Sequence, residues 1–367
     1  MNSTPSARVL QEGGSADAKA VAAPPPGAHG LQDDCLISAS QLAIAELQRL
    51  LALWLAHEPG ARLGEDPEEL HQLRVTARRI DATLGLFKRQ LPPTLVSARR
   101  ATKVVLRTLG TARDLDVQLS VLQRYCARLP EKEGAAAEPL RAHLETERDR
   151  ARRRMLRGLD SEPTRRWLQT LTAAGDEPAE HLPADSAATV LAARVGRRFR
   201  KMRKSVQRLR PRSTMDDYHR VRRRAKQLRY AIECGSVMLG KPADDMLKAL
   251  RRLQDKLGAQ QDAYMAQQRL AALAAEPAGA LPPATLFFMG RLAEHHAVVT
   301  LQTRRTLTRS WRKVRGRRWK ALRARLGPLH AGAATLNAAI APAPSAPLPA
   351  EIAAGRRPEP ELRTLKH

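Results

Sequence analysis

His71, Arg74 and Arg78 stand three and four residues apart, and so do His219, Arg222 and Lys226, 148 residues further along the chain. At about 100° per residue, that spacing puts each trio on one side of a helix. An imidazole and two cations on one face can grip the oxygens of an anion. In both copies Leu-Gly follows, with the glycine 39 residues after the histidine (Gly110, Gly258) and an aspartate four residues beyond it (Asp114, Asp262). A third set repeats at an offset of 152: Arg152, Arg153, Arg157, Arg165, Arg166 and Trp167 match Arg304, Arg305, Arg309, Arg317, Arg318 and Trp319. Repetition on this scale governs architecture before any local reading does.

Other chemistry finds little support. No GxxxxGKS or GxxxxGKT loop is present to cradle nucleotide phosphates. Neither HExxH nor a Cys/His cluster offers a metal site. His295 and His296 are adjacent and diverge on a helix; Asp114 and Asp116 lie about 200° apart and do not converge. A cation held between His71, His219 and the two aspartates would be repelled by the arginines around it. The expectation is a binding protein without catalytic residues, metal or cofactor.

The elements that must position these residues are helices. Long Ala/Leu/Arg stretches are punctuated by prolines, which helix interiors tolerate poorly. This predicts helices at roughly 38–57, 67–90, 94–129, 137–160, 163–174, 186–209, 215–239, 243–275 and 284–326. Residues 176–183 read as a hinge between two halves of about four main helices each, and so as antiparallel bundles. Residues 1–35 and 331–367, rich in Ala and Pro, read as disordered tails. On the first basic helix, Leu73, Ala77, Ile80, Leu84 and Phe87 form an apolar stripe beside His71, Arg74, Arg78 and Asp81. Val221, Ala225 and Leu228 do the same beside His219, Arg222, Lys226 and Arg229. The apolar stripe must be buried, which puts the basic stripe at the edge of the core, near the seam between the bundles.

The formal net charge of +27 points to a polyanionic partner. Of the 64 basic residues 51 are Arg, whose planar fork grips phosphate oxygens two at a time. Aromatics make up only 3%, too few for the stacking platforms that single-strand binders use. Three scattered cysteines, Cys35, Cys126 and Cys234, fit a reducing cytosol. The first residues lack the blocks of a signal peptide, and no apolar run approaches a membrane span.

Four motifs carry a family resemblance: His71-x-x-Arg74-Val75-x-x-Arg78-Arg79, Gly110-x-x-Arg113-Asp114-Leu115-Asp116-Val117, His219-x-x-Arg222-x-x-x-Lys226, and Leu228-Arg229-Tyr230-Ala-x-Glu233. In this order and spacing the chain resembles the CHAD domain, the conserved histidine alpha-helical domain, over about residues 36–328. The resemblance implies an all-α fold of two antiparallel four-helix halves (36–175 and 185–330, within a domain at 36–330) related by a pseudo-two-fold axis. It also implies binding of inorganic polyphosphate along a basic groove or pore between the halves. On that reading His71, Arg74, Arg78, Arg79, His219, Arg222, Lys226 and Arg229 hold phosphate. Lys103, Arg152, Arg157, Arg251, Arg304 and Arg309 extend the track, and Asp114 and Asp262 orient their neighbours. The implied location is the cytoplasm, at polyphosphate granules. Two departures stand out: Asp81 replaces an expected Arg at the position matched by Arg229, and Gln227 replaces one at the position matched by Arg79. A triphosphate-tunnel domain, with its Glu-x-Glu-x-Lys signature, is not expected. Sequence-independent nucleic-acid binding is the competing reading, since the same stripes would also track a phosphodiester backbone.

Overall fold

The computed structural model describes residues 37–176, 183, 185–210, 212–276 and 281–327. Both expected tails and most of the expected hinge fall outside them. Among the described residues the fold is all-α; the one extended pairing is an isolated bridge between Ser38 and Ser186.

The first half holds α1 (Ala39–Leu63), α2 (Pro67–Leu86), α3 (Pro93–Thr108), α4 (Gly110–Cys126), a short α5 (Glu131–Ala135), α6 (Glu138–Leu159) and α7 (Glu162–Thr172). The second holds α8 (Ala187–Gln207), α9 (Met215–Glu233), a short α10 (Ser236–Leu239), α11 (Lys241–Ala274), α12 (Pro283–Arg315) and a last helix, α13, at 317–327. Helix starts recur at the sequence offset: α1 and α8 begin 148 residues apart, as do α2 and α9. Where α1 and α8 begin, the backbone contacts are reciprocal. Ala39 N–H donates to Asp185 O at 2.7 Å, and Ala187 N–H donates to Ile37 O at 3.1 Å.

Local chemistry explains the ends. Ser38 caps α1 with a reciprocal capping box through Gln41, and Thr214 caps α9 in the same way through Asp217. Asp66 accepts from Glu68 N–H, and Pro67 occupies the first turn of α2, where its missing N–H costs nothing. α1 was expected to stop near 57 but runs through Pro59 to Leu63. Its last turn is held by Gly64, whose φ of 75° closes a left-handed cap, and by Arg152, which donates to the carbonyls of Ala61 and Arg62.

The expected single helix at 94–129 is two helices. α3 ends at Thr108 and α4 restarts at Gly110, where the Arg74 guanidinium lies so close that a Cβ on Gly110 would sit 2.8 Å from its Nη1. The matching stretch is the unbroken α11, where Arg222 leaves 3.4 Å above Gly258. The expected helices at 215–239 and 284–326 are likewise interrupted, near Gly235 and at Gly316.

The apolar stripes are buried as the periodicity requires. Leu73, Ala77, Ile80, Leu84, Phe87, Val221, Ala225 and Leu228 are each 0% exposed. They lie in one continuous core, with Trp54 edge-on to Trp167 in the first half and Phe199 stacked against Trp319 in the second. α2 packs against α9 across the seam, and that contact brings the two basic stripes together.

Candidate functional site: a cationic seam

Each basic helix buries its apolar stripe and so presents its basic stripe at the α2–α9 contact. Lys226 on α9 feels the most cations. Burial, and then Arg78, Arg222, Arg229 and Arg74, push its pKa down to about 6. Arg74 is lowered to about 10, first by burial and then by Arg78, with Asp114 opposing. Arg222 is lowered by burial, with Asp262 opposing and Arg78 adding to the effect. With α2 packed on α9, these effects put the basic residues of the two helices within electrostatic reach of one another.

Compensation within the protein is sparse. Arg74 reaches Asp114 Oδ1 at 3.4 Å, and that carboxylate is 65% exposed. Among the described residues, Arg78, Arg222 and Lys226 have no carboxylate within ion-pair distance, and the buried Nε of Arg222 has no acceptor. Asp262 keeps solvent access, yet its surroundings desolvate it enough to raise its pKa. Arg222 opposes that rise, Asp114 adds to it, and Lys226 and Arg78 oppose it. Buried cations short of counter-charge are costly, a cost that a bound anion would offset.

The remaining predicted residues divide. His219 Nδ1 lies 3.2 Å from Gln261 Oε1 on α11; His71 is half-buried at the matching place on α2. Arg79, Arg229 and Arg251 converge on Glu233 at 3.7, 3.5 and 3.8 Å, so a carboxylate already shares them. Arg152 is committed to the end of α1. Arg304 lies over the Tyr218 ring at 5.1 Å, at the start of α9. Lys103, Arg157 and Arg309 are exposed. The structure thus groups Arg74, Arg78, Arg222, Lys226 and Arg229 with both aspartates, ties Arg152 to the end of α1 and sets Arg304 over the Tyr218 ring. Asp81, where an arginine was expected, holds Arg99 at 2.9 Å.

Two features were not anticipated. Glu233, present in a quoted motif but given no role there, is the hub of three guanidinium groups; its place four residues after Arg229 on a helix was the available signal. Arg198 on α8 donates to Gln227 O at 2.7 Å, and burial, with Arg194, Arg197 and Arg99 nearby, lowers its pKa to about 10. Only its three-dimensional neighbours distinguish it from the other arginines of α8.

A family profile described as the CHAD domain matches residues 45–271, which include all four motifs and every seam residue. The chain belongs to the CHAD domain family. Among solved structures, the fold is similar to PptA from Streptomyces chartreusis, with 21% identity and a TM-score of 0.59, covering 75% of this chain and 100% of that one. It is also similar to the CHAD domain from the plant Ricinus communis, with 24% identity and a TM-score of 0.56, covering 80% of this chain and 93% of the other. At these identities the likeness is one of fold. No curated protein matches the chain. No helix among the described residues is long and apolar enough to cross a membrane, and no group of three or more His, Cys, Asp or Glu among them could hold a metal ion.

Proposed function

We propose that this CHAD protein binds inorganic polyphosphate along the α2–α9 seam and carries out no chemistry on it. One observation supports the reading above the rest: where α2 packs on α9, half-buried Lys226 lies within electrostatic reach of four guanidinium groups from the two helices, its pKa is pushed down, and no carboxylate is paired to it among the described residues. A linear polyanion with one charge on each internal phosphate and no bases to read needs only closely spaced cations and access. Release of its counterions on binding supplies the drive, as with nucleic-acid backbones. The cytosol, at polyphosphate deposits, is the location in keeping with this role.

The test measures binding of long-chain polyphosphate and of charge-matched duplex DNA at several salt concentrations. The wild type should prefer polyphosphate, with a steep fall in log affinity against log salt. Replacing Arg74, Arg78, Arg222 and Lys226 together by Ala should remove most polyphosphate binding and leave helicity intact, because all four lie beside the buried stripe and outside it. Four exposed cations after residue 314 replaced in the same way should cost polyphosphate much less. Equal losses from both variants would mean that net charge alone governs affinity, and the seam assignment would be wrong.

A further inference from the structure

The two halves present outer faces of different electrostatic character. In the first half that face is neutral. α1 carries Glu46 and Glu58 against Arg49 and Arg62, and residues 160–172 carry Asp160 and Glu162 against Arg165 and Arg166. These charges are paired: Arg49 with Glu46, Arg62 with Glu58 and Asp160, and Arg165 and Arg166 with Glu162. In the second half every acid at the matching positions is gone. Arg194 and Val206 stand where Glu46 and Glu58 stand in the first half, and Arg312 and Val314 replace Asp160 and Glu162. The α8 helix holds seven Arg or Lys and no acid, and residues 312–324 hold another seven and no acid.

These two basic stretches form one surface. Phe199 of α8 stacks on Trp319 of α13, with centroids 3.6 Å apart and planes 4° apart, and meets Trp311 of α12 at 5.8 Å. The aromatic contact faces inward and the cations face out: Arg197, Arg200, Lys201, Arg203, Lys204, Arg312, Lys313, Arg315, Arg317, Lys320 and Arg323 are all exposed. Among the described residues none of them makes an ion pair. The cations that crowd Lys226 come from α2 and α9, not from this surface.

We propose that the face built by α8, the end of α12 and α13 docks the backbone of duplex nucleic acid, as a second polyanion site separate from the seam. Charge and shape both favour this occupant. The 21 residues of α8 span about 30 Å at ~1.5 Å per residue, a length over which a DNA duplex presents roughly 18 phosphates. The cations stand on helix exteriors and are free to meet a rigid surface, whereas the seam cations are half-buried. A membrane fits poorly: among the described residues, no exposed large apolar side chain lies on α8 or in 302–327, so this face offers none to insert among acyl chains. With so few aromatics in the chain, sequence-independent backbone contact is the mode expected.

The test uses the full chain and a 30-base-pair DNA duplex, followed by fluorescence anisotropy at several salt concentrations. Replacing Arg200, Arg203, Lys204, Arg315, Arg317 and Lys320 by Gln should weaken duplex binding at least about 100-fold near 0.1 M salt and flatten the salt slope by up to about 5. Replacing six exposed first-half cations by Gln (Lys132, Arg150, Arg153, Arg154, Arg165 and Arg166) removes the same charge and should cost less than about 10-fold. The seam variant lacking Arg74, Arg78, Arg222 and Lys226 should still bind the duplex, and wild-type protein should hold duplex and polyphosphate together. Equal losses from the two six-residue variants, loss of duplex binding in the seam variant, or binding to anionic vesicles in place of duplex would each overturn the proposal. Polyphosphate affinity is read separately, so failure of the seam assignment and failure of this one are told apart.

Discussion

Replacing Lys226 by Met should stabilise the free protein, and the gain should depend on pH in a direction the structure dictates. The amine ordinarily titrates near 10.5 and in the fold titrates near 6. Between those values the unfolded chain carries a proton that the folded chain has lost, so wild-type stability rises with pH across this window. Above 10.5 the amine is neutral in both states and folding carries no penalty; below 6 it is charged in both, and the penalty is full. At about 1.4 kcal/mol per unit, the cost at pH 7.5 is at most about 4 kcal/mol, and relaxation of the surrounding guanidinium groups brings it to the order of 2 kcal/mol. Methionine keeps the length and removes the charge. Denaturant unfolding of both proteins from pH 6 to pH 10 should show the variant more stable at pH 7.5, with its advantage shrinking toward pH 10. A variant less stable at pH 7.5, or an advantage that does not change with pH, would refute the reasoning. The bound state supplies a second reading. An anion in the seam restores the charged amine, so wild-type binding at pH 7.5 should take up close to one proton. Calorimetry in two buffers of different ionisation enthalpy measures that uptake, and the methionine variant should lack it.

Gly110→Ala should push the Arg74 guanidinium aside, because the added Cβ comes within 2.8 Å of Nη1; polyphosphate affinity should fall several-fold with little change in melting temperature. Gly258→Ala meets Arg222 at an ordinary 3.4 Å and lies within α11, so it should keep its affinity and gain up to about 1 kcal/mol of stability from helix propensity. Glu233→Gln leaves Arg79, Arg229 and Arg251 without their shared counter-charge. It should lower the stability of the free protein by about 2 kcal/mol and raise polyanion affinity, as read by chemical unfolding and by anisotropy.

The apolar stripes and their basic neighbours were legible because helical periodicity fixes angles, and angles decide which side chains can be buried together. The repeat of His71, Arg74 and Arg78 in His219, Arg222 and Lys226 therefore identified the seam helices and most of the cluster. What periodicity does not report is the partner of each charge. Arg152 and Arg304 match in sequence, yet one closes the end of α1 and the other lies over Tyr218, because α1 ends in a left-handed glycine and the start of α9 supplies a ring. Arg79 and Arg251 lie on helix faces that periodicity marks as available, but Glu233 stands within 4 Å of both. The break at Leu109 stands beside Gly110, but Gly258 at the matching place stays inside the unbroken α11, so the glycine alone does not predict it.

Cations that crowd one another must also depend on one another, and this separates the seam from the outer face. Arg74 and Arg222 each feel Arg78 and Asp114, and Arg222 lies among the groups that depress Arg74. Removing one of them relieves the other, so the loss from a second substitution should be smaller than from the first. For Arg74→Ala and Arg222→Ala a double-mutant cycle on polyphosphate affinity should return a coupling of about 1 kcal/mol or more. Arg200 and Arg317 are exposed, lie on different helices and have no partner in common. Salt screens such charges within about 10 Å, so their effects on duplex binding should add to within about 0.5 kcal/mol. A seam pair that adds without coupling would mean the two stripes do not act on one ligand, whatever their shared electrostatics in the free protein.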